Sequence, residues 1–95
     1  MKAVLCKQYG PPSSLVVEEV SAPVPAGGQV LVEVHAAGVN FPDSLIIQGK
    51  YQFKPDLPFS PGAEVAGIVK KVGAGVTGLR VGDRVIAATT WGGYA

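Results

Sequence analysis

Thirteen glycines and eight prolines are spread through 95 residues, and only short runs of Val, Ile, Leu and Ala separate them. Glycine and proline weaken helix interiors, so a chain punctuated this often has room for strands of five to eight residues and little else. The runs are too apolar for disorder, since 47% of the residues are hydrophobic. The length suits one domain, whose folding would bury somewhat over ~60% of the surface of the unfolded chain. The expectation is a mainly β fold around a single small core.

Charge excludes several partners. Eight Lys and Arg against seven Asp and Glu give a net charge of +1, scattered singly apart from Lys70-Lys71 and Glu18-Glu19. No basic stripe is available for nucleic acid or an anionic membrane. Ala3-Val4-Leu5-Cys6 is too short for a signal-peptide core, and no run approaches the ~18 apolar residues of a membrane span. A cytoplasmic location is therefore the expectation. Cys6 and His35 are the only residues of their kinds. They rule out an internal disulfide, and no spacing recognisable as a zinc ligand set is present.

Along the chain, Lys2 to Lys7 and Leu15 to Val20 read as two strands joined by the Gly10–Ser14 loop. Gln29 to Ala37 alternates, with Val30, Val32, Val34 and Ala36 forming an apolar face expected to point inward and His35 on the opposite face. Pro42 and Asp43 suit a helix start, Leu45-Ile46-Ile47 supplies its apolar side, and Gly49 ends it. After a loop carrying Pro55, Pro58 and Pro61, strands are expected at Glu64 to Val72 and Asp83 to Ala88, and Gly92–Ala95 reads as the lead-in to another.

Gly73-Ala74-Gly75-Val76-Thr77-Gly78 matches the G-x-G-x-x-G dinucleotide fingerprint. That fingerprint needs a helix to receive the pyrophosphate, and Leu79–Val85 has no helical period. A glycine-rich turn between strands is the expected structure.

The polar residues near the helix can be read in two ways. Asn40 is either a helix N-cap or a polar group at a cavity rim. Tyr51 is either an aromatic anchor for the proline-rich loop or a phenol facing a cleft. Asp43 suits the positive end of a helix dipole and Glu64 a solvated strand start, and both also stand as supporting groups for such a site. Cys6 has no basic partner to activate it.

Taken in order, Ala37-Gly38-Val39-Asn40-Phe41-Pro42-Asp43, Gly49-Lys50-Tyr51, Pro61-Gly62-Ala63-Glu64-Val65-Ala66-Gly67 and Val81-Gly82-Asp83-Arg84-Val85 resemble the zinc-free, quinone-reductase branch of the medium-chain dehydrogenase/reductases. The resemblance implies a GroES-like, partly open β-barrel with one short helix over residues 1–95, incomplete at its C-terminus and ending before the Rossmann domain that binds NADPH. It implies hydride transfer to a quinone or activated enone, with Asn40 near the nicotinamide and Tyr51 facing the acceptor, so that both are catalytic and cofactor-binding. Zinc-dependent relatives place a cysteine at the position of Asn40 and a histidine at that of Ala63, so no zinc is expected. The full-length protein is expected to be a homodimer. The 95 residues alone are expected to be inactive, to bind NADPH negligibly, and to self-associate through an unpaired sheet edge. An enoyl-thioester reductase is the nearest alternative. A co-chaperonin-like assembly module, with Leu45-Ile46-Ile47 as its anchor, is the alternative from another class.

Overall fold

The computed structural model describes residues 1–95. Strand β1 (Lys2–Leu5) pairs antiparallel with β2 (Val16–Glu19) across a 3₁₀ turn at Pro12–Ser14. Strands β3 (Val30–Ala37), β4 (Glu64–Val72) and β5 (Arg84–Ala88) form a second antiparallel sheet with β4 in the centre. Helix α1 (Phe41–Ile46) lies between β3 and β4 in the chain. The result is the expected mainly β, partly open barrel with one short helix, its two sheets not closed on one another.

Local sequence accounts for most of these boundaries. β1 ends one residue before Cys6, which leaves Cys6 to exchange both backbone bonds with Phe59 (2.7 and 3.2 Å). That pairing draws the proline-rich loop onto the first sheet. Asp83 belongs to a turn and not to β5, because its carboxylate accepts the Arg80 N–H at 2.9 Å while its own N–H goes back to the Arg80 carbonyl. The G-x-G-x-x-G segment is the β4–β5 connection with no helix after it, as expected.

Two expectations need correction. The valine face of β3 does not pack uniformly inward. Register shifts between Leu31 and Val32 and between Val34 and Ala36 break the two-residue period, leaving Val30, Val32 and Val34 half-buried and Ala36 exposed. The C-terminal residues are also not a strand: Gly92, Gly93 and Tyr94 donate in turn to the carbonyls of Ser60, Gly62 and Pro61 (2.6, 3.0 and 2.9 Å). The Tyr94 carbonyl accepts from Val4 at 2.9 Å, so this segment ties β1 to the loop before β4.

The best-buried cluster is Cys6, Ile46, Ile47 and Phe59, with Leu15 and Tyr51 packed against it. Ile46 and Ile47 are each only 3% exposed, so the apolar triplet of α1 is committed to the core and is not offered as the anchor of a co-chaperonin's mobile loop. Burial also pushes the Cys6 thiol above its usual pKa, which suits a packing residue and not a nucleophile.

In the second sheet, Gly67 is fixed by close approach. A Cβ there would run into the Glu33 carbonyl and lie 2.8 Å from Val32 Cγ1. Gly67→Ala should therefore lower stability by about 1–3 kcal/mol through overpacking. Urea denaturation checks this, and an unchanged midpoint would show that β3 can move aside.

Candidate functional site

The site grows from the place where β3 becomes α1. Gly38 extends the β3–β4 pairing by one bond, its N–H donating to the Glu64 carbonyl at 3.1 Å. The Glu64 side chain lies across Gly38, where any Cβ would collide with the carboxylate. Two residues on, Asn40 stands at the helix N-cap in extended conformation, and Asp43 at the third helical position accepts the Asn40 backbone N–H at 2.9 Å. This bond quiets one of the donors that a helix start leaves unpaired. Pro42 sits in the first turn, where its missing N–H costs nothing.

The Asn40 carbonyl accepts the Asp43 N–H at 3.1 Å in the same capping arrangement, and Asn40 Nδ2 donates to Glu64 Oε1 at 3.2 Å. Asn40 is thus an exposed cap residue. Asp43 is only 8% exposed, and its Oδ2 lies 3.0 Å from the Tyr94 hydroxyl as well. The same hydroxyl is 3.1 Å from the Gly38 carbonyl.

Tyr94 did not figure among the residues read from sequence. Its phenol is pushed up to about 12, first by burial, then by its hydrogen bond to Asp43 and by the charges of Asp43 and Glu64. The folded chain therefore keeps a proton that the unfolded chain, with an ordinary value of 10.0, gives up. The stabilisation is complete below the unfolded value and disappears as the pH rises through the folded one. Because the ring is partly open to solvent, it should amount to on the order of 1–2 kcal/mol. Denaturation of the wild type and Tyr94→Phe between about pH 9 and about pH 12 tests this. The gap between them should narrow on the alkaline side, and a constant gap would contradict it.

Beside α1 lies a cleft of about 160 Å³. Tyr51 and Phe53 form an aromatic wall, edge to face with ring centroids 5.7 Å apart and planes at 60°. Asp43, Thr89 and Thr90 supply polar groups, and Ala63 adds only a methyl to the lining. Thr89 is held in place, its hydroxyl donating to the Gly62 carbonyl at 3.1 Å and its N–H to Ala63 at 2.7 Å. The two readings of Tyr51 are compatible, since its ring packs on the core cluster while it lines this cleft. Asn40 does not line the cleft and is connected to it through Asp43.

His35 is exposed, with Nε2 3.1 Å from Glu33 Oε1, and Lys70 pairs with the other oxygen at 2.9 Å. The Lys70 hydrogen bond and charge hold the Glu33 carboxyl below its usual range. These three form a surface group away from the cleft residues. No three His, Cys, Asp or Glu side chains converge closely enough to share a metal ion, and no helix is long and apolar enough to cross a membrane.

Two antiparallel sheets left partly open, one short helix and a small mixed cleft at its side define a GroES-like domain. The chain belongs to the alcohol dehydrogenase GroES-like domain family, with residues 26–94 matching. It is 44% identical over 97 aligned positions to the quinone oxidoreductase of Rattus norvegicus, covering 100% of this chain and 30% of that protein. The Escherichia coli quinone oxidoreductase, whose structure was solved with NADPH, superposes with a TM-score of 0.93 at 38% identity, over 100% of this chain and 29% of that one. The Pseudomonas syringae pv. tomato quinone oxidoreductase gives 0.92 at 37%, over 98% and 29%. These similarities put the chain with the quinone oxidoreductases of the medium-chain dehydrogenase/reductase superfamily, and it spans less than a third of the length of these relatives.

Proposed function

We propose that residues 1–95 are the substrate-side domain of an NADPH-dependent oxidoreductase that transfers hydride to a quinone or an activated enone. The observation that carries this reading is the cleft beside α1, which is lined by the aromatic pair Tyr51 and Phe53 together with the small Ala63. Its volume suits one ring, being well below the roughly 300–1,000 Å³ of drug-sized ligand sites. Its lining contains no Lys or Arg, and the glycine-rich turn after β4 opens no helix. The residues present thus fit the ring end of an acceptor or nicotinamide and not a pyrophosphate, which a separate Rossmann domain would hold. NADPH, when bound, supplies the hydride.

In this reading Tyr51 Oη donates to the acceptor oxygen, where negative charge grows as hydride arrives, and its ring with Phe53 forms a flat apolar wall. Asn40 borders the nicotinamide with its amide oriented by Glu64. Zinc has no part, since Asn40 and Ala63 stand where zinc-dependent relatives carry ligands. A homodimer and a cytoplasmic location accompany the reading by family resemblance.

A chimera tests it. This chain replaces the matching segment of the Escherichia coli enzyme, and the chimera should reduce benzoquinone with NADPH, while the 95 residues alone should show no micromolar NADPH binding in a fluorescence titration. A folded, NADPH-binding chimera that reduces a crotonyl thioester but no quinone would transfer the reading to an enoyl-thioester reductase. One that reduces neither would refute it.

A further inference from the structure

We propose that Tyr94 is a positioning residue that sets Asn40, next to the cleft, through the Asp43 carboxylate. The inference rests on the site reading above for its functional meaning and on hydrogen-bond geometry for its substance. Tyr94 is held before its side chain does anything. Its N–H donates to Pro61 and its carbonyl accepts from Val4, both at 2.9 Å. Its ring covers Gly62, where a Cβ would come within 2.7 Å of Cδ1. The phenol therefore arrives at α1 from a fixed backbone.

There it finds two acceptors for one proton, Asp43 Oδ2 at 3.0 Å and the Gly38 carbonyl at 3.1 Å. Gly38 ends the β3 pairing and Asp43 lies in the first turn of α1, so a single hydroxyl spans the two ends of the segment that carries Asn40. The oxygen of Asp43 that receives Tyr94 also receives the Asn40 N–H at 2.9 Å. Rotation of this carboxylate would release the Asn40 backbone and, with it, the direction of Nδ2 toward Glu64 at 3.2 Å. The other titratable group facing this network is Glu64, whose charge adds to that of Asp43 in keeping the phenol protonated.

The test is amide hydrogen exchange and side-chain amide shifts by NMR on the 95-residue chain, comparing wild type with Tyr94→Phe. Losing one charge-assisted donor should speed exchange of the Asn40 backbone amide about tenfold. The Asn40 Nδ2 proton shifts should move as well, and the Asn40 amide should accelerate by a larger factor than amides in the centres of β4 and β5, which report only the change in global stability. An unchanged Asn40 overturns the proposal. So does an equal acceleration at every amide, which is what a purely structural role predicts. If Tyr94→Phe does not fold, Asp43→Asn is judged by the same two criteria, because it weakens the shared acceptor while keeping its shape. None of these readouts depends on turnover, so a negative quinone assay and a negative exchange result are separate failures.

Discussion

Phe59→Ala should cost about 3–5 kcal/mol of folding stability, the usual range for truncating a buried aromatic. A domain of this size holds roughly 5–15 kcal/mol in total, so the variant should lose a large share of its stability. Phe59 is 5% exposed and packs with Cys6, Ile46 and Ile47, the cluster that seats α1. Its backbone also exchanges two hydrogen bonds with Cys6, so the side chain and the main chain secure the same junction. In urea, the midpoint should fall by more than about 1 M, given a slope of roughly 1–3 kcal/mol/M. Phe53→Ala is the internal control, since that ring is 45% exposed and its loss should cost about 1 kcal/mol or less. Equal costs for the two would mean that the Cys6–Phe59 junction is not the centre of the core.

The contrast between these phenylalanines shows what a sequence can and cannot reveal. Both stand in the same proline-rich loop, and nothing local separates them. Phe59 is buried because its backbone meets Cys6, 53 residues earlier in the chain. The elements that sequence does reveal depend on near neighbours. The strand at Glu64 to Val72, the Pro42-Asp43 start of α1 and the lack of a helical period after Gly78 are all local, and each expectation matches the structure. β3 departs from its pattern because its register answers to β4, where Gly67 comes up against the Glu33 carbonyl.

The same division runs through the site. Asn40 and Asp43 are neighbours on a helix turn, and their capping relation is readable from spacing alone. Tyr51 shows itself as an aromatic after Gly49-Lys50, though its two roles separate only once the cleft exists. Tyr94 was missed because its partner Asp43 lies 51 residues away, and the glycines before it read as the lead-in to a strand. The one usable signal is an aromatic after Gly92-Gly93, at a distance from Asp43 that spacing rules cannot bridge.

Tyr51→Phe, introduced into the chimeric or full-length reductase, should lower kcat about 100-fold with little change in KM for the quinone. The expectation follows from removing one donor aimed at a developing oxyanion, a change worth roughly 2.7–4 kcal/mol in comparable sites. Because the bond is strongest when charge has moved onto the acceptor, its loss weakens the transition state more than the ground state. The phenylalanine ring keeps the edge contact with Phe53 and the packing on the core cluster, so stability should change by less than about 1 kcal/mol. Steady-state kinetics and urea denaturation of the same preparation separate the two quantities. Tyr51→Ala then acts as the opposite probe, removing ring and hydroxyl together and lowering both activity and stability. Should Tyr51→Phe keep full kcat while Tyr51→Ala loses stability, Tyr51 is an aromatic anchor only. The donor to the acceptor oxygen must then be sought among the other hydroxyl residues that line the cleft. Thr90 is the first to test there, because the Thr89 hydroxyl is already committed to the Gly62 carbonyl.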